Sequence, residues 1–219
     1  MKIATWNLER PKTNSARIRK IEEVLKALEA DILILTETNE HISPGEFYYS
    51  YHSQQLPMPY YSVGERRVSI LAKYKLLNTY PTFRNDTSIC VEFETPLGCL
   101  IVYGTVAGIH GNRRKDFMAD LQQQMEDLRK IGLLNKPLCY AGDLNISFSD
   151  NYYFTKAGRT LMQETFSELA LSVTTRDIPQ NIDHIVISDG YLKGKKVTCS
   201  TWNHDKKLSD HFGVMIDIL

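Results

Sequence analysis

Acidic, amide and histidine side chains border apolar segments at five places along this 219-residue chain. They are Trp6-Asn7-Leu8-Glu9, Thr36-Glu37-Thr38, Gly142-Asp143-Leu144-Asn145, Asp183-His184 and Ser209-Asp210-His211. Taken singly, each is explained as well by a turn or a solvated residue, because Asp and Asn readily bond their own backbone. Their recurrence at successive predicted strand ends instead indicates one functional site.

The elements that must position these residues are predicted from hydrophobic periodicity. The predicted strands are residues 3–6, 31–35, 68–72, 88–94, 100–107, 138–141, 185–187, 196–201 and 214–218. Three helices are predicted. The first begins at Asn14 or Ser15 and runs to about residue 28, and the other two cover residues 116–131 and 159–169. Helices alternate with strands early in the chain, whereas the last quarter is mostly strand. This order predicts two packed sheets covered by helices, in one domain over residues 1–219.

Composition and charge restrict the class of protein. The chain has 26 Lys and Arg against 26 Asp and Glu, and 42% of its residues are hydrophobic, as in ordinary folded domains. No apolar run approaches the roughly 20 residues of a membrane-spanning helix. The zero net charge argues against a strongly electrostatic, sequence-blind nucleic-acid binder, although it permits a local basic patch.

Features of the N-terminus and the cysteines predict a cytoplasmic location. Residues 1–6 resemble a strand and are followed at once by polar residues, without the apolar core of a signal peptide. The four cysteines, Cys90, Cys99, Cys139 and Cys199, are widely spaced in apolar or alternating segments. This spacing favours buried, reduced thiols over disulfides or a zinc site.

In chain order, five motifs resemble those of the endonuclease/exonuclease/phosphatase superfamily. They are Thr5-Trp6-Asn7, Leu35-Thr36-Glu37, Gly142-Asp143-Leu144-Asn145, Ile182-Asp183-His184 and Ser209-Asp210-His211. These enzymes are metal-dependent phosphoesterases similar to pancreatic deoxyribonuclease and exonuclease III. The resemblance spans nearly the whole chain and implies an α/β fold, a four-layer α/β/β/α sandwich of two mixed sheets packed face to face with helices outside.

The resemblance implies a Mg²⁺ or Mn²⁺ site, since oxygen ligands suit hard cations. Glu37 matches the family's metal-binding glutamate, and Glu9 stands where relatives of the exonuclease III type carry an acidic ligand. Asp210 is expected to support the metal indirectly, through the groups that bind it. Asn7 is expected to orient these carboxylates or to contact metal-bound water.

The resemblance assigns the attack on phosphorus to the other motifs. Asp143 matches the residue that aligns or deprotonates the attacking water, and Asn145 would donate its amide to a phosphate oxygen. His211 would donate a hydrogen bond to the phosphoryl oxygen where charge builds. Asp183 would hold the His211 imidazole in the correct tautomer and favour its protonated form. The neighbouring His184 is interpreted as a packing residue.

One position departs from the family pattern. Relatives place a tyrosine or histidine at the end of the central strand, where this chain has Thr105 by register. A threonine could bond phosphate but could not act as an acid, so leaving-group protonation has no assigned residue. Further candidate substrate contacts are Arg66, Arg113 and Trp202, each explained as well by a solvated surface or by core packing.

We predict a nuclease that cleaves DNA, with no membrane and no obligate protein partner. The Trp-Asn-Leu-Glu spacing resembles the exonuclease III branch, and the basic groups would follow a phosphate backbone. The chain is short for the family, which implies trimmed loops and is compatible with a shorter or single-stranded substrate, or a nucleotide. Two alternatives stay open: a phosphatase for a small or lipid phosphomonoester, and a non-catalytic module that binds phosphate or nucleic acid.

Overall fold

The computed structural model describes residues 1–13, 15–56, 61–108 and 116–219. Within these ranges the chain forms twelve strands and four helices. The strands are β1 (Lys2–Asn7), β2 (Ile32–Asn39), β3 (Tyr49–His52), β4 (Glu65–Ala72), β5 (Leu76–Tyr80), β6 (Ser88–Thr95), β7 (Gly98–Val106), β8 (Leu138–Asp143), β9 (Leu171–Val173), β10 (Asp183–Ser188), β11 (Val197–Trp202) and β12 (Gly213–Ile218). The helices are α1 (Ala16–Leu28), α2 (Phe117–Gly132), α3 (Lys156–Glu168) and α4 (Asp189–Leu192).

The strands form two mixed six-stranded sheets. The first sheet has the order β11-β12-β1-β2-β4-β3, and the second has the order β5-β6-β7-β8-β10-β9. Strands β1 and β2 are parallel, as are β7 and β8. Because parallel neighbours need a crossover connection, these two pairs are joined through α1 and α2.

The main core lies between the two sheets. Alternate residues of the central strands face it, for example Ile3 of β1, Ile34 of β2, Ala141 of β8 and Ile185 of β10. The outer face of the first sheet packs against α1, and the outer face of the second packs against α2 and α3. These layers confirm the predicted four-layer sandwich.

Side-chain caps define where two helices begin. The Ser15 hydroxyl accepts a hydrogen bond from the Ile18 amide at 3.2 Å, so Ser15 is the N-cap of α1. Asn14, the alternative predicted start, lies outside the described residues. Helix α3 begins three residues before the predicted start, because the Thr155 hydroxyl accepts from the Gly158 amide at 3.2 Å. The prediction for α2 is confirmed to within one residue.

The sequence prediction omitted β3, β5, β9 and the short helix α4. All three omitted strands lie at sheet edges. An edge strand is covered less completely than a central strand, so its sequence carries little of the apolar run or alternation that marks a buried strand. In β5, four of the five residues are exposed.

The four cysteines are free thiols, as predicted, but they are not all buried. Cys90 and Cys139 lie in the core, Cys99 is half-buried and Cys199 is exposed. The prediction of a buried thiol is wrong at Cys199 because β11 is an edge strand. Of the helices in the described ranges, none is long and apolar enough to cross a membrane.

Candidate active site

Polar side chains from both sheets meet at one end of the sandwich. Asn7 ends β1 in the first sheet, whereas Asp143 ends β8 in the second. The Asn7 Nδ2 atom donates to Asp143 Oδ2 at 3.0 Å, and both side chains are buried. Asp183 begins β10 and lies directly opposite Asp143 in the antiparallel pair. Because alternate residues of these strands point between the sheets, three of the predicted catalytic residues lie close together.

His211 completes this group from the loop before β12. Its Nδ1 lies 2.6 Å from Asp183 Oδ2. The contacts that hold its backbone in place include Trp6 Nε1, which donates to the His211 carbonyl at 3.0 Å, and Ser209 Oγ, which accepts from the His211 amide at 3.1 Å. Ser209 Oγ in turn donates to the Asn7 carbonyl at 2.6 Å. The serine and tryptophan beside the motif residues thus fix the imidazole relative to β1.

The catalytic trio, which we define as Asp143, Asp183 and His211, is electrostatically coupled. Burial opposes the positive charge of His211, but the charge and hydrogen bond of Asp183 and the charge of Asp143 outweigh it, so the pKa of His211 is raised. Burial raises the pKa of Asp143, and the adjacent Asp183 adds to this, although His211 and the Asn145 and Asn7 hydrogen bonds oppose it. The trio therefore favours a protonated imidazole that faces the site.

We expect Asp183→Asn to lower the pKa of His211 by about 1–3 units, the range for a charge partner at this distance. The Asp183 carboxylate stabilises the imidazolium, so its loss makes the proton leave at lower pH. An NMR titration of the His211 ring in metal-free protein measures the change directly. The exposed His41 is the internal control, because the substitution should leave its ring signals unchanged. An unchanged His211 titration would refute the role given to Asp183.

Asn145 lies at the edge of the trio in a strained backbone conformation. Its φ is 52°, a left-handed value that Asn tolerates better than most residues. Its amide donates to Asp143 Oδ1 at 2.9 Å, and its Nδ2 donates to the Ala107 carbonyl at 3.0 Å. The loop thus orients the Asp143 carboxylate. The contact between Asn145 and a phosphate oxygen stays a prediction.

The three predicted metal-binding or metal-supporting residues, Glu37, Glu9 and Asp210, do not form a close cluster like that of the catalytic trio. Glu37 is half-buried with a φ of 45°, and its carboxylate has no hydrogen-bond partner among the described residues. Glu9 is 52% exposed, and its Oε2 accepts from Arg17 Nη2 at 3.1 Å and from the Asp210 amide at 3.3 Å. The Asp210 carboxylate is exposed and lies 3.7 Å from His211 Nε2.

Within the described ranges, the catalytic trio is the only group of three metal-ligand side chains with ligand atoms within 4.8 Å of one another. A divalent ion nevertheless fits Glu37 better. Histidine must be neutral to bind a metal, whereas His211 is held protonated by Asp183. Mg²⁺ usually takes one or two carboxylates and fills its remaining positions with water and substrate phosphate. The open Glu37 carboxylate meets that requirement.

Arg17 is a positioning residue that the sequence did not reveal. From α1 it donates through Nη2 to the Leu8 carbonyl and through Nε to the Leu208 carbonyl, both at 2.6 Å. It therefore connects the loop that carries Glu9 to the loop that carries His211. An arginine on a helix usually indicates a solvated surface, so no local signal distinguishes it.

The predicted contact between Thr105 and phosphate is wrong. Thr105 is fully buried on the outer face of β7, where its Oγ1 lies 3.1 Å from Gln124 Oε1 and 2.8 Å from Ser88 Oγ. The β7 residue that faces inward beside Asp143 is Val106. Among the residues described at this strand end, none offers a proton donor to the site.

The other predicted substrate contacts have structural partners or lie outside the described residues. Arg66 forms an ion pair with Glu40, with Nε 2.9 Å from Oε2, and also donates to the Ser53 carbonyl at 3.1 Å. Trp202 packs edge-on against Trp6 with ring centroids 5.7 Å apart. These contacts favour a surface role for Arg66 and a packing role for Trp202 over substrate binding. Arg113 falls in the part of the chain that the structure does not describe.

His184 is confirmed as a packing residue. It is fully buried, and its Nε2 faces the carbonyls of Ile146 and Asn181 at 3.0 and 3.1 Å, so this nitrogen carries the proton. Burial lowers the pKa of His184 to about 4, against the opposing effect of Asp183. A neutral His184 thus joins the loop after β8 to the loop before β10.

A cavity of about 240 Å³ opens beside the catalytic trio. Its lining includes Asp183, His211, Asn145, Lys206 and Phe212, together with Tyr152, which is half exposed. A larger cavity of about 910 Å³ lies at the opposite end of the first sheet and contains none of the trio. Of these two cavities, only the smaller one borders the catalytic trio.

Comparisons with known proteins agree with this geometry. A sequence model of the Endonuclease/Exonuclease/phosphatase family matches residues 4–211. No curated protein matches the sequence.

Solved structures share the fold at low identity. An AP endonuclease from Archaeoglobus fulgidus is 18% identical, with a TM-score of 0.73 and coverage of 100% of this chain and 99% of the other. The 3′ phosphatase NExo from Neisseria, bound to product DNA hairpin, is 17% identical, with a TM-score of 0.74 and the same coverages. The endonuclease domain of TRAS1, a telomere-specific non-LTR retrotransposon, is 19% identical, with a TM-score of 0.73 and coverages of 99% and 97%.

Proposed function

Since the chain belongs to the endonuclease/exonuclease/phosphatase family, whose members are metal-dependent hydrolases, we propose that it is a divalent-metal-dependent nuclease that cleaves a phosphodiester bond of DNA. The observation that carries this proposal is the buried arrangement of Asn7, Asp143, Asp183 and His211 across the two sheets. It supplies an imidazolium for a phosphate oxygen and a carboxylate for an attacking water.

His211 binds the substrate phosphate through its Nε2 proton. Its Nδ1 is occupied by Asp183, so Nε2 is the nitrogen that is left to face the ligand. A cation placed where negative charge builds lowers the barrier, and it acts more strongly in a partly buried site than in water. Only 15% of the His211 side chain is exposed.

Asp143 aligns the attacking water and accepts its proton as the oxygen bonds to phosphorus. The raised pKa of Asp143 makes this carboxylate a stronger base than an exposed aspartate. Asn7 and the Asn145 amide fix its two oxygens at 3.0 and 2.9 Å. Among the described residues we assign no proton donor to the departing oxygen.

Glu37 would hold Mg²⁺ or Mn²⁺. When bound, such an ion neutralises phosphate charge and makes water more acidic. Glu9 and Asp210 lie in the neighbouring loops, and Arg17 orients the Glu9 carboxylate. We propose that these two acids support the ion from further away, since Glu9 is already paired.

Support for DNA as the substrate comes from the cavity and from the activities named for similar structures. Tyr152 and Phe212 offer ring faces on which a base can stack, and Lys206 adds a positive charge. Two of the similar structures named above are endonucleases, and the third is a 3′ phosphatase bound to DNA. The neutral chain favours a short or single-stranded substrate over a long duplex.

The test is one panel of single-stranded DNA, duplex DNA, abasic DNA, RNA, nucleotides and inositol phosphates, each with Mg²⁺ or Mn²⁺ and then with EDTA. We expect cleavage of DNA that EDTA abolishes and that added salt weakens, because each released counterion lowers affinity. Turnover of a phosphomonoester alone would replace the nuclease by a phosphatase. No turnover of any phosphoester would favour a binding module.

A further inference from the structure

Arg67 is a buried arginine with no anionic partner among the described residues. It lies in β4 and is only 7% exposed. Its one hydrogen bond within the described residues runs from Nη2 to the Tyr61 hydroxyl at 2.6 Å, and its buried Nε has no partner. No described carboxylate forms an ion pair with it. Since an unpaired buried charge is costly, Arg67 would be stabilised by an anionic ligand.

A second arginine contacts the same tyrosine. The guanidinium carbons of Arg10 and Arg67 lie 5.0 and 4.9 Å from the centre of the Tyr61 ring. The aromatic ring attracts both cations. Glu65 pairs with Arg10, with Nη2 3.3 Å from Oε2, whereas no described carboxylate pairs with Arg67.

These two arginines flank the candidate metal ligand. The Arg10 amide donates to the Glu37 carbonyl at 2.9 Å. On the other side, Thr36 pairs with Val68 and Thr38 pairs with Arg66, so Arg67 lies opposite Glu37 in β4. Neighbouring strands are about 4.8 Å apart, so each arginine backbone is one strand away from Glu37.

We propose that Arg10, Tyr61 and Arg67 form a binding site for a second phosphate of the substrate, next to the phosphate that is hydrolysed. A guanidinium presents planar paired donors that match phosphate oxygens, and Arg67 has donors to spare. A polynucleotide carries a phosphate at every nucleotide, whereas a small monoester carries one. The inference rests on the proposed nuclease function, which it extends to a particular contact along the strand.

A binding measurement tests the site without catalysis. Inorganic pyrophosphate is titrated into metal-free protein with EDTA present, for the unsubstituted protein, Arg67→Gln and Arg129→Gln. Arg129 is the matched control, because it is ion-paired with Glu168 between α2 and α3. We expect Arg67→Gln to weaken binding about tenfold or more, the loss of a charge-assisted hydrogen bond, and Arg129→Gln to bind normally. Equal affinity in all three proteins, or no binding by the unsubstituted protein, overturns the proposal.

Kinetics separate this proposal from the proposed function. For a thymidine hexanucleotide, Arg67→Gln should raise KM about tenfold and leave kcat unchanged, whereas KM for bis(p-nitrophenyl) phosphate, which has one phosphate, should not change. Equal effects on both substrates would overturn the second-phosphate site and leave the nuclease standing. Hydrolysis of neither substrate, with pyrophosphate binding still lost in Arg67→Gln, would overturn the nuclease and leave the anion site standing. If Arg67→Gln fails to fold, the more exposed Arg10→Gln gives the same comparisons.

Discussion

We expect His211→Ala to lower kcat for phosphodiester hydrolysis by about 10²–10⁴-fold, because it removes the cation that faces the developing phosphate charge. Asp183 bonds to the imidazole, whereas Trp6 and Ser209 bond to the His211 backbone, so the alanine variant loses the cation while its backbone contacts remain available. Steady-state rates at saturating Mn²⁺ measure the effect. Circular dichroism and thermal unfolding show whether the variant is folded.

Two further variants make the His211 result specific. His41→Ala alters an exposed histidine after β2 and should retain the full rate. His211→Asn keeps an N–H donor but not the charge, so its rate should lie between those of the alanine variant and the unsubstituted protein. A rate for His211→Ala within threefold of the unsubstituted protein would remove His211 from the mechanism.

The second large effect is expected for Glu37→Gln. At low Mn²⁺ this variant should lose nearly all activity, because a neutral amide is a poorer ligand for a divalent ion than a carboxylate. The metal concentration for half-maximal rate should rise by more than about tenfold. Removing a residue that only orients a metal ligand already lowers metal affinity by about that factor, and Glu37 is expected to bind the metal directly. Rates measured over a wide Mn²⁺ range should therefore recover in part at high metal.

The control for Glu37→Gln is Glu46→Gln, an exposed glutamate away from the candidate site. It should respond to Mn²⁺ as the unsubstituted protein does. A Glu37→Gln enzyme with an unchanged metal requirement and a lowered kcat at every Mn²⁺ concentration would place Glu37 in the chemistry of the reaction. In that case the metal would have to be held elsewhere.

The sequence predicted the buried part of the fold well because burial leaves a periodic signal. The run Ile32–Leu35 is apolar on both faces since β2 lies between β1 and β4 with layers on either side. Strands β3, β5 and β9 lack that signal because each lies at an edge. Edge pairing is determined by contacts between distant segments, which no local pattern reports.

The site residues were predicted from motifs, and the errors have local causes. Thr105 and Val106 are one residue apart, and a strand places such neighbours on opposite faces, so assignment by register alone chose the wrong face. Arg17 was not predicted because its role depends on contacts with loops far away in sequence. Leu208, which accepts a hydrogen bond from Arg17, is 191 residues away along the chain.

The division of labour between Glu37 and the catalytic trio is tested most directly by isothermal titration of Mn²⁺ into metal-free Glu37→Gln and His211→Ala. The predicted result is that His211→Ala binds Mn²⁺ with the affinity of the unsubstituted protein, whereas Glu37→Gln binds it more than about tenfold more weakly. The opposite result, with Mn²⁺ binding lost in His211→Ala and retained in Glu37→Gln, would place the ion among Asp143, Asp183 and His211 and contradict the account.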